Sequence, residues 1–287
     1  MKKIVVVLGM HRSGTSVTAR SLQTLGITLG AHLMEPQECN PKGFYEDLDI
    51  FGINERILGA LHQYWDSLMP IAMKSFSNLL TDFKDEAKTL ILEKMQHRYV
   101  FAFKDPRTAI LLSFWREVFR ELKLQGRYVI VFRHPLSVAD SLRKRDNFCL
   151  QKSLLLWVKY NISILASVNK RESVFINYDS MLSQPELQIL RLSDFLKMPV
   201  DADALNDFQS EFLERDFRHS TYSEGDMSLV NGLPTSIRDI YGALLSECTP
   251  DGYSGSLRAK VKSWSRWYDS LSFALGAVDD ARKHKTV

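Results

Sequence analysis

The sequence is poor in cysteine: Cys39, Cys149 and Cys248 are the only three among 287 residues. Their number is odd and their spacing wide, so neither a disulfide framework nor a cysteine-rich zinc site is expected. A reducing, cytoplasmic setting is the simpler expectation. Long apolar runs are also lacking. The opening run, Ile4 to Leu8, follows Lys2 and Lys3 and gives way at once to Gly9-Met10-His11-Arg12. A secretion signal needs about 7–15 apolar residues and a membrane helix about 20, so a soluble protein without a membrane span is expected. Nor is there a marked excess of charge: 37 Lys and Arg against 34 Asp and Glu leave +3. No basic stripe or aromatic platform points to nucleic acid. The small excess suits an anion held in a locally basic site. No internal repeat or low-complexity segment occurs.

What is present is the mix of a globular protein, 45% hydrophobic and 25% charged. Short apolar runs at Ile4–Leu8, Tyr99–Phe103, Tyr128–Phe132 and Ser173–Ile176 read as strands, with Ile27–Leu29 as a further short one. Helical patterns cover Thr15–Leu25, Leu48–His62, Phe83–His97, Ala109–Leu122, Pro135 to about Lys144, 150–168, Pro185–Leu196 and Leu257–Val278. Residues 35–47 form a loop with two prolines, and residues 215–235 read as irregular. Strands alternating with helices predict an α/β fold of three layers, a central mostly parallel sheet flanked by helices. The expected organisation is one domain over residues 1–287, with a core to about residue 200 and a helical or irregular part over 201–287.

Three polar motifs each follow a predicted strand, and in parallel sheets ligands bind beyond the carboxyl ends of the strands. The first is Gly9-Met10-His11-Arg12-Ser13-Gly14-Thr15-Ser16. Its glycines let backbone N–H groups turn toward an anion, and the helix that follows adds its dipole. Ser13, Thr15 and Ser16 add hydroxyls, and Arg12 offers a planar cation matched to phosphate or sulfate oxygens. The frame is that of a P-loop, but Thr15-Ser16 stands where a nucleoside triphosphatase carries its lysine. No strand ends in an aspartate suited to magnesium, so no metal is expected. The second motif is Lys104-Asp105-Pro106-Arg107. The third is Arg133-His134-Pro135 with Ser141, which a helix starting at Pro135 places within reach of the same anion as Arg133.

Together the motifs resemble the sulfotransferases that use 3′-phosphoadenosine-5′-phosphosulfate (PAPS). The likeness is good over roughly residues 4–145 and weak beyond. It implies that Arg12, Ser13, Gly14, Thr15 and Ser16 cradle the 5′-phosphosulfate and that Arg133 and Ser141 grip the 3′-phosphate. An arginine in the loop is similar to bacterial carbohydrate and tyrosylprotein enzymes, and Lys104-Asp105-Pro106 resembles an element in which lysine stabilises the leaving phosphate. Arg107 is a further acceptor or phosphate contact. The resemblance also implies a glutamate base soon after the first helix. Glu35, Glu38 and Glu46 are the choices, Glu46 first and Glu38 second, with His11 as another base or a phosphate contact. The implied activity is sulfuryl transfer from PAPS to a hydroxyl or amine of a small-molecule or glycan acceptor, a carbohydrate first, leaving PAP (3′-phosphoadenosine-5′-phosphate). Trp65 is a candidate for the acceptor wall, and Arg218 and His219 for a loop over the nucleotide. The rival readings are a P-loop nucleotide or sugar kinase and an inactive nucleotide-binding protein.

Overall fold

The structure is a computed structural model that describes residues 1–38, 40–71, 80–213, 222–249 and 257–283. Cys39, Arg218 and His219 lie outside the described residues.

Among the described residues four strands form one sheet: β1 (Lys3–Leu8), β2 (Val100–Lys104), β3 (Gln125–Phe132) and β4 (Ser173–Asn177). All neighbours are parallel and the order is β2-β1-β3-β4. The register follows from burial on both faces. Side chains alternate across a strand, so Ile4, Val6, Leu8, Ile130 and Phe132 join one apolar cluster and Val5, Val7, Val129 and Val131 join the other. Each of these aliphatic and aromatic side chains is fully buried, worth about 1.5–3 kcal/mol apiece. Such two-sided burial is why β1 reads as an unbroken apolar run.

Helices cover both faces. α1 (Thr15–Ser21) continues as a 3-10 turn through Leu25, and Gly26 ends it in the left-handed conformation, φ 68°. α2 (Leu48–Ala60) is capped by Asp47, whose carboxylate accepts from the Asp49 and Ile50 amides. α3 (Thr81–Lys94) and α4 (Leu112–Glu121) follow. Then come α5 (Pro135–Asp146), α6 (Leu150–Ser167), α7 (Tyr178–Ser183), α8 (Pro185–Leu196), α9 (Ala202–Asp207) and α10 (Thr235–Ser246). α11 (Leu257–Ser270) and α12 (Ser272–Lys283) end the described chain. No helix among the described residues is long and apolar enough to cross a membrane.

Several expectations are corrected. Ile27–Leu29 is no strand: it lies between Gly26 and Gly30, both left-handed, and makes a single backbone bond to the sheet, Ala102 N–H to Thr28 C=O at 3.1 Å. The helix expected over Ala109–Leu122 opens as a 3-10 turn, Pro106–Ala109, because Asp105 caps the Arg107 amide. The expected helix Leu257–Val278 is two helices that break at Leu271. Within the span expected to be irregular, residues 224–229 form a 3-10 turn and α10 begins at its end.

The chain passes from β1 to β2 on one side and then to β3 on the other. The sheet therefore reverses between β1 and β3, and a crevice opens at their carboxyl ends.

Candidate functional site

That crevice is a cavity of about 1100 Å³. The four strand ends feed it: the glycine loop after β1, Lys104 to Arg107 after β2, Arg133 after β3 and Tyr178 after β4. Seven lining side chains are Lys or Arg and three are Asp or Glu, so the cavity favours an anion.

The glycine loop is tightly determined. A Cβ at Gly14 would sit 2.0 Å from the Tyr178 ring, and φ is +90° there, so no other residue fits. At Gly9 a Cβ would meet the Val131 carbonyl at 2.5 Å. Arg12 is itself left-handed, φ 67°, which costs about 1–2 kcal/mol for a residue with a Cβ. The guanidinium Nε donates to Ser141 Oγ at 2.7 Å. The loop's residue 12 and the second turn of α5 thus meet directly. Ser13 Oγ and His11 Nε2 are buried and find no hydrogen-bond partner among the described residues. Buried polar atoms left this way cost about 1–3 kcal/mol each, and an anion held in the loop would relieve it.

Lys104 and Glu46 form the other side. Both are nearly inaccessible, 2% and 4% exposed. Lys104 Nζ donates to Glu46 Oε1 at 2.6 Å and to the Phe44 carbonyl at 2.9 Å, with Ser16 Oγ at 3.4 Å. Burial pushes the Glu46 carboxyl above its ordinary value, against the pull of Lys104 and Arg107. Arg107 Nη1 lies 3.5 Å from Glu46 Oε2 and 2.9 Å from Asp105 Oδ1, and its Nε meets Glu55. Its guanidinium stacks on Phe51 at 4.5 Å. Asp105 also accepts from Asn54 Nδ2 at 2.9 Å, so the strand end is held from α2.

Arg133 is buried, with its guanidinium carbon 4.6 Å from the centre of the Tyr178 ring. Arg133 and Ser141 line one wall of the cavity with Ser137 between them. His134 caps α5 by accepting from the Leu136 amide, which fixes where the helix starts.

The structure therefore brings Arg12, Gly14, Thr15, Ser16, Lys104, Glu46, Arg133 and Ser141 to one cavity, with Ser13 buried beneath the loop. Glu38 lines it as an exposed carboxylate, and Glu35 does not line it. His11 lines it too, its ring 4.4 Å from that of Trp65. Burial first, then the surrounding Arg107, Arg145, Lys104 and Arg12, hold the His11 imidazole neutral well below its usual titration range. Trp65 is flanked by Phe148 at 5.8 Å and by the Arg145 guanidinium at 5.1 Å. Sequence reasoning passed over Ser137, Lys144 and Arg145. The signal was present: 137, 141 and 144 recur at helical spacing on the helix that carries Ser141.

No family model and no curated protein matches the chain. Solved structures do. The sulfotransferase domain from the curacin biosynthetic pathway is 15% identical, with a TM-score of 0.44 over 92% of this chain and 98% of that one. The sulfotransferase domain from the Synechococcus PCC 7002 olefin synthase is 16% identical, TM-score 0.46, over 93% and 96%. Retinol dehydratase in complex with androsterone and inactive cofactor PAP is 12% identical, TM-score 0.38, over 92% and 80%. At such TM-scores these likenesses carry no functional argument, and the cavity must supply it.

Proposed function

We propose that the chain is a PAPS-dependent sulfotransferase acting in the cytoplasm on a hydroxyl or amine. The observation that carries this reading is the Arg12–Ser141 hydrogen bond of 2.7 Å. It joins a lysine-free glycine loop to the Arg133 helix, so two anion-binding ends share one cavity. A donor with phosphates at both its 5′ and 3′ ends needs such a pair of ends. A nucleoside triphosphate does not.

The residues fit such a donor. The loop offers backbone N–H groups and hydroxyls, two orphaned buried polar atoms, and a close approach that any Cβ at Gly14 would block. PAPS, when bound, supplies a sulfuryl group already joined to a phosphate leaving group. Arg12, Ser13, Gly14, Thr15 and Ser16 would hold the 5′ end, and Arg133, Ser141 and Ser137 the 3′-phosphate. Lys104 supplies positive charge near Ser16 and Glu46, where charge develops on oxygen during transfer.

Glu46 is the base of choice. It is buried beside Lys104, whereas Glu38 is exposed. A carboxyl raised toward the operating pH is better matched to taking a proton from an acceptor hydroxyl. Lys104 and Arg107 hold its two oxygens apart and fix its direction. His11, neutral and buried against Trp65, shapes the loop. The acceptor we favour is a sugar or other small ring compound, because the aromatic side chains of Trp65 and Phe51 line the cavity.

The test is transfer of labelled sulfur from PAPS to an acceptor panel, as a function of pH. Wild type should gain rate through an acid limb above the ordinary carboxylate value. Glu46→Gln should lose about 10²-fold or more in kcat and lose that limb, while binding PAP as wild type does. An unchanged limb in Glu46→Gln would move the role to Glu38.

A further inference from the structure

A second cavity, of about 720 Å³, opens at the other end of the sheet. It lies where β4 begins, at Ser173, and shares no lining residue with the first. One wall is α11, and the other is the end of α6 with the turn that follows. Its floor is apolar: Leu165, Phe175 and Val261 are buried.

The rim is cationic in a regular way. Arg258, Lys262 and Arg266 line the groove and are exposed. They stand four residues apart, so they share one face of α11. At 1.5 Å per residue their backbone positions rise about 6 Å from one to the next, and about 12 Å in all. The adjoining face of the helix, with Leu257, Val261, Trp264 and Tyr268, is buried. None of the three cations makes an ion pair or hydrogen bond with another described residue. Other surface lysines do: half-buried Lys88 with Asp85 at 2.7 Å and exposed Lys197 with Asp194 at 2.6 Å. Arg116, at the groove's edge, is taken up by Glu172. Three exposed cations in a row repel one another weakly, and an anionic occupant would relieve that repulsion.

We infer that this groove binds an extended acidic peptide segment of a partner protein. An extended chain repeats the same face every second residue, about 6.6–6.8 Å. That interval is close to the spacing of the cations along α11. A segment with acidic side chains at alternate positions sets its carboxylates on Arg258, Lys262 and Arg266, and turns the intervening apolar side chains to Leu165, Phe175 and Val261. The apolar floor favours a peptide over a polysaccharide or nucleic acid, whose anionic surfaces carry no such alternate apolar face. The inference does not depend on the sulfotransferase reading, since the two cavities are separate.

The experiment is fluorescence anisotropy with a labelled peptide of alternating Glu and Leu, at low and at high salt, against the full chain. A peptide of the same composition with its Glu and Leu residues grouped, and polyphosphate as competitor, complete the set. The groove predicts binding that weakens with salt, prefers the alternating order, and falls roughly tenfold or more in Arg258→Glu/Lys262→Glu/Arg266→Glu. The neutral triple variant with Gln at these positions should fall between, with thermal unfolding unchanged in both. Lys144→Glu/Arg145→Glu, in the first cavity, should bind as wild type does. No binding to wild type, equal affinity in the triple variants, or loss confined to the 144/145 variant overturns the inference. So does equal response to the grouped peptide or to polyphosphate, which marks a nonspecific polyanion surface.

Discussion

Among the described residues two lysines are almost wholly buried, and their surroundings differ. Lys104, 2% exposed, meets a carboxylate, Glu46, at 2.6 Å and a carbonyl at 2.9 Å. Lys159, 3% exposed, has one close partner, the Ser67 carbonyl at 2.7 Å. The acids near Lys159 are committed elsewhere, Asp66 to Lys152 at 2.8 Å and Asp279 to the amides of Leu68 and Met69 at 2.9 Å. Burial therefore prevails at Lys159 and pushes its ammonium down to about 8, against the weaker help of Asp279 and Asp66. The first lysine is built into a charged site. The second braces a wall: with Tyr160 on the Trp65 carbonyl and Tyr268 on the Leu68 carbonyl, it fixes the segment that presents Trp65 to His11. The contrast teaches that a buried cation is retained for what it holds, and that burial prevails at Lys159, where the nearby acids are paired with other groups.

The largest expected effect comes from breaking the first pair. Lys104→Met should cost on the order of 10²–10³ in kcat. It should also cost about 3–5 kcal/mol of stability, because buried Glu46 then keeps only the longer contact to Arg107. Burial then favours the protonated carboxyl more strongly, so the loss should grow as pH rises through its raised folded-state value. Adding Glu46→Gln should recover much of the stability and none of the rate. Chemical denaturation and the transfer assay read the two separately, and recovery of both would remove Lys104 and Glu46 from the chemistry.

The next effect lies at the brace. The unfolded chain holds the Lys159 proton more tightly than the folded one, so stability should rise with pH from about 8 toward the ordinary lysine value near 10.5. The rise should amount to on the order of 3 kcal/mol. Lys159→Met should lack it, and PAP binding should stay within about twofold of wild type. Denaturation midpoints across this range, read as the difference between the two proteins, give the answer. A parallel course would show that Lys159 is not held in a costly charged form.

The smallest effect sharpens the cause. Lys152→Ala removes the cation nearest Asp66 and strengthens the pull of that carboxylate on Lys159, so the onset of that rise should move to higher pH by a few tenths to about one pH unit. An unmoved onset would place the cause in burial alone.

The fold's first half was legible because each strand is a short apolar run that ends in polar residues of unusual kind. β1 with its glycine loop, Lys104-Asp105-Pro106 and Arg133 with Ser141 all share that form. The resemblance alone puts Glu46 ahead of Glu38, and what no local pattern encodes is their difference in burial. Trp65 was legible as a candidate for the acceptor wall, but not its surroundings. Its contact with His11 depends on the brace from α6, α11 and α12, which no local pattern encodes. Lys159 was hidden within the apolar pattern of α6 for the same reason. α10 carries Ile237, Ile240, Tyr241 and Leu244 at helical spacing, a signal outweighed by the Gly232 and Pro234 before it.

The central claim is that Arg133 and Ser141 exist to hold a 3′-phosphate beside the glycine loop. Calorimetric titration with PAP and with ADP, without magnesium, tests it most directly, on wild type and on Arg133→Ala. The account predicts a clear preference for PAP in wild type, on the order of tenfold or more, and loss of that preference in the variant. Equal binding of both nucleotides, or binding that requires magnesium, would contradict it and bring a P-loop kinase to the front.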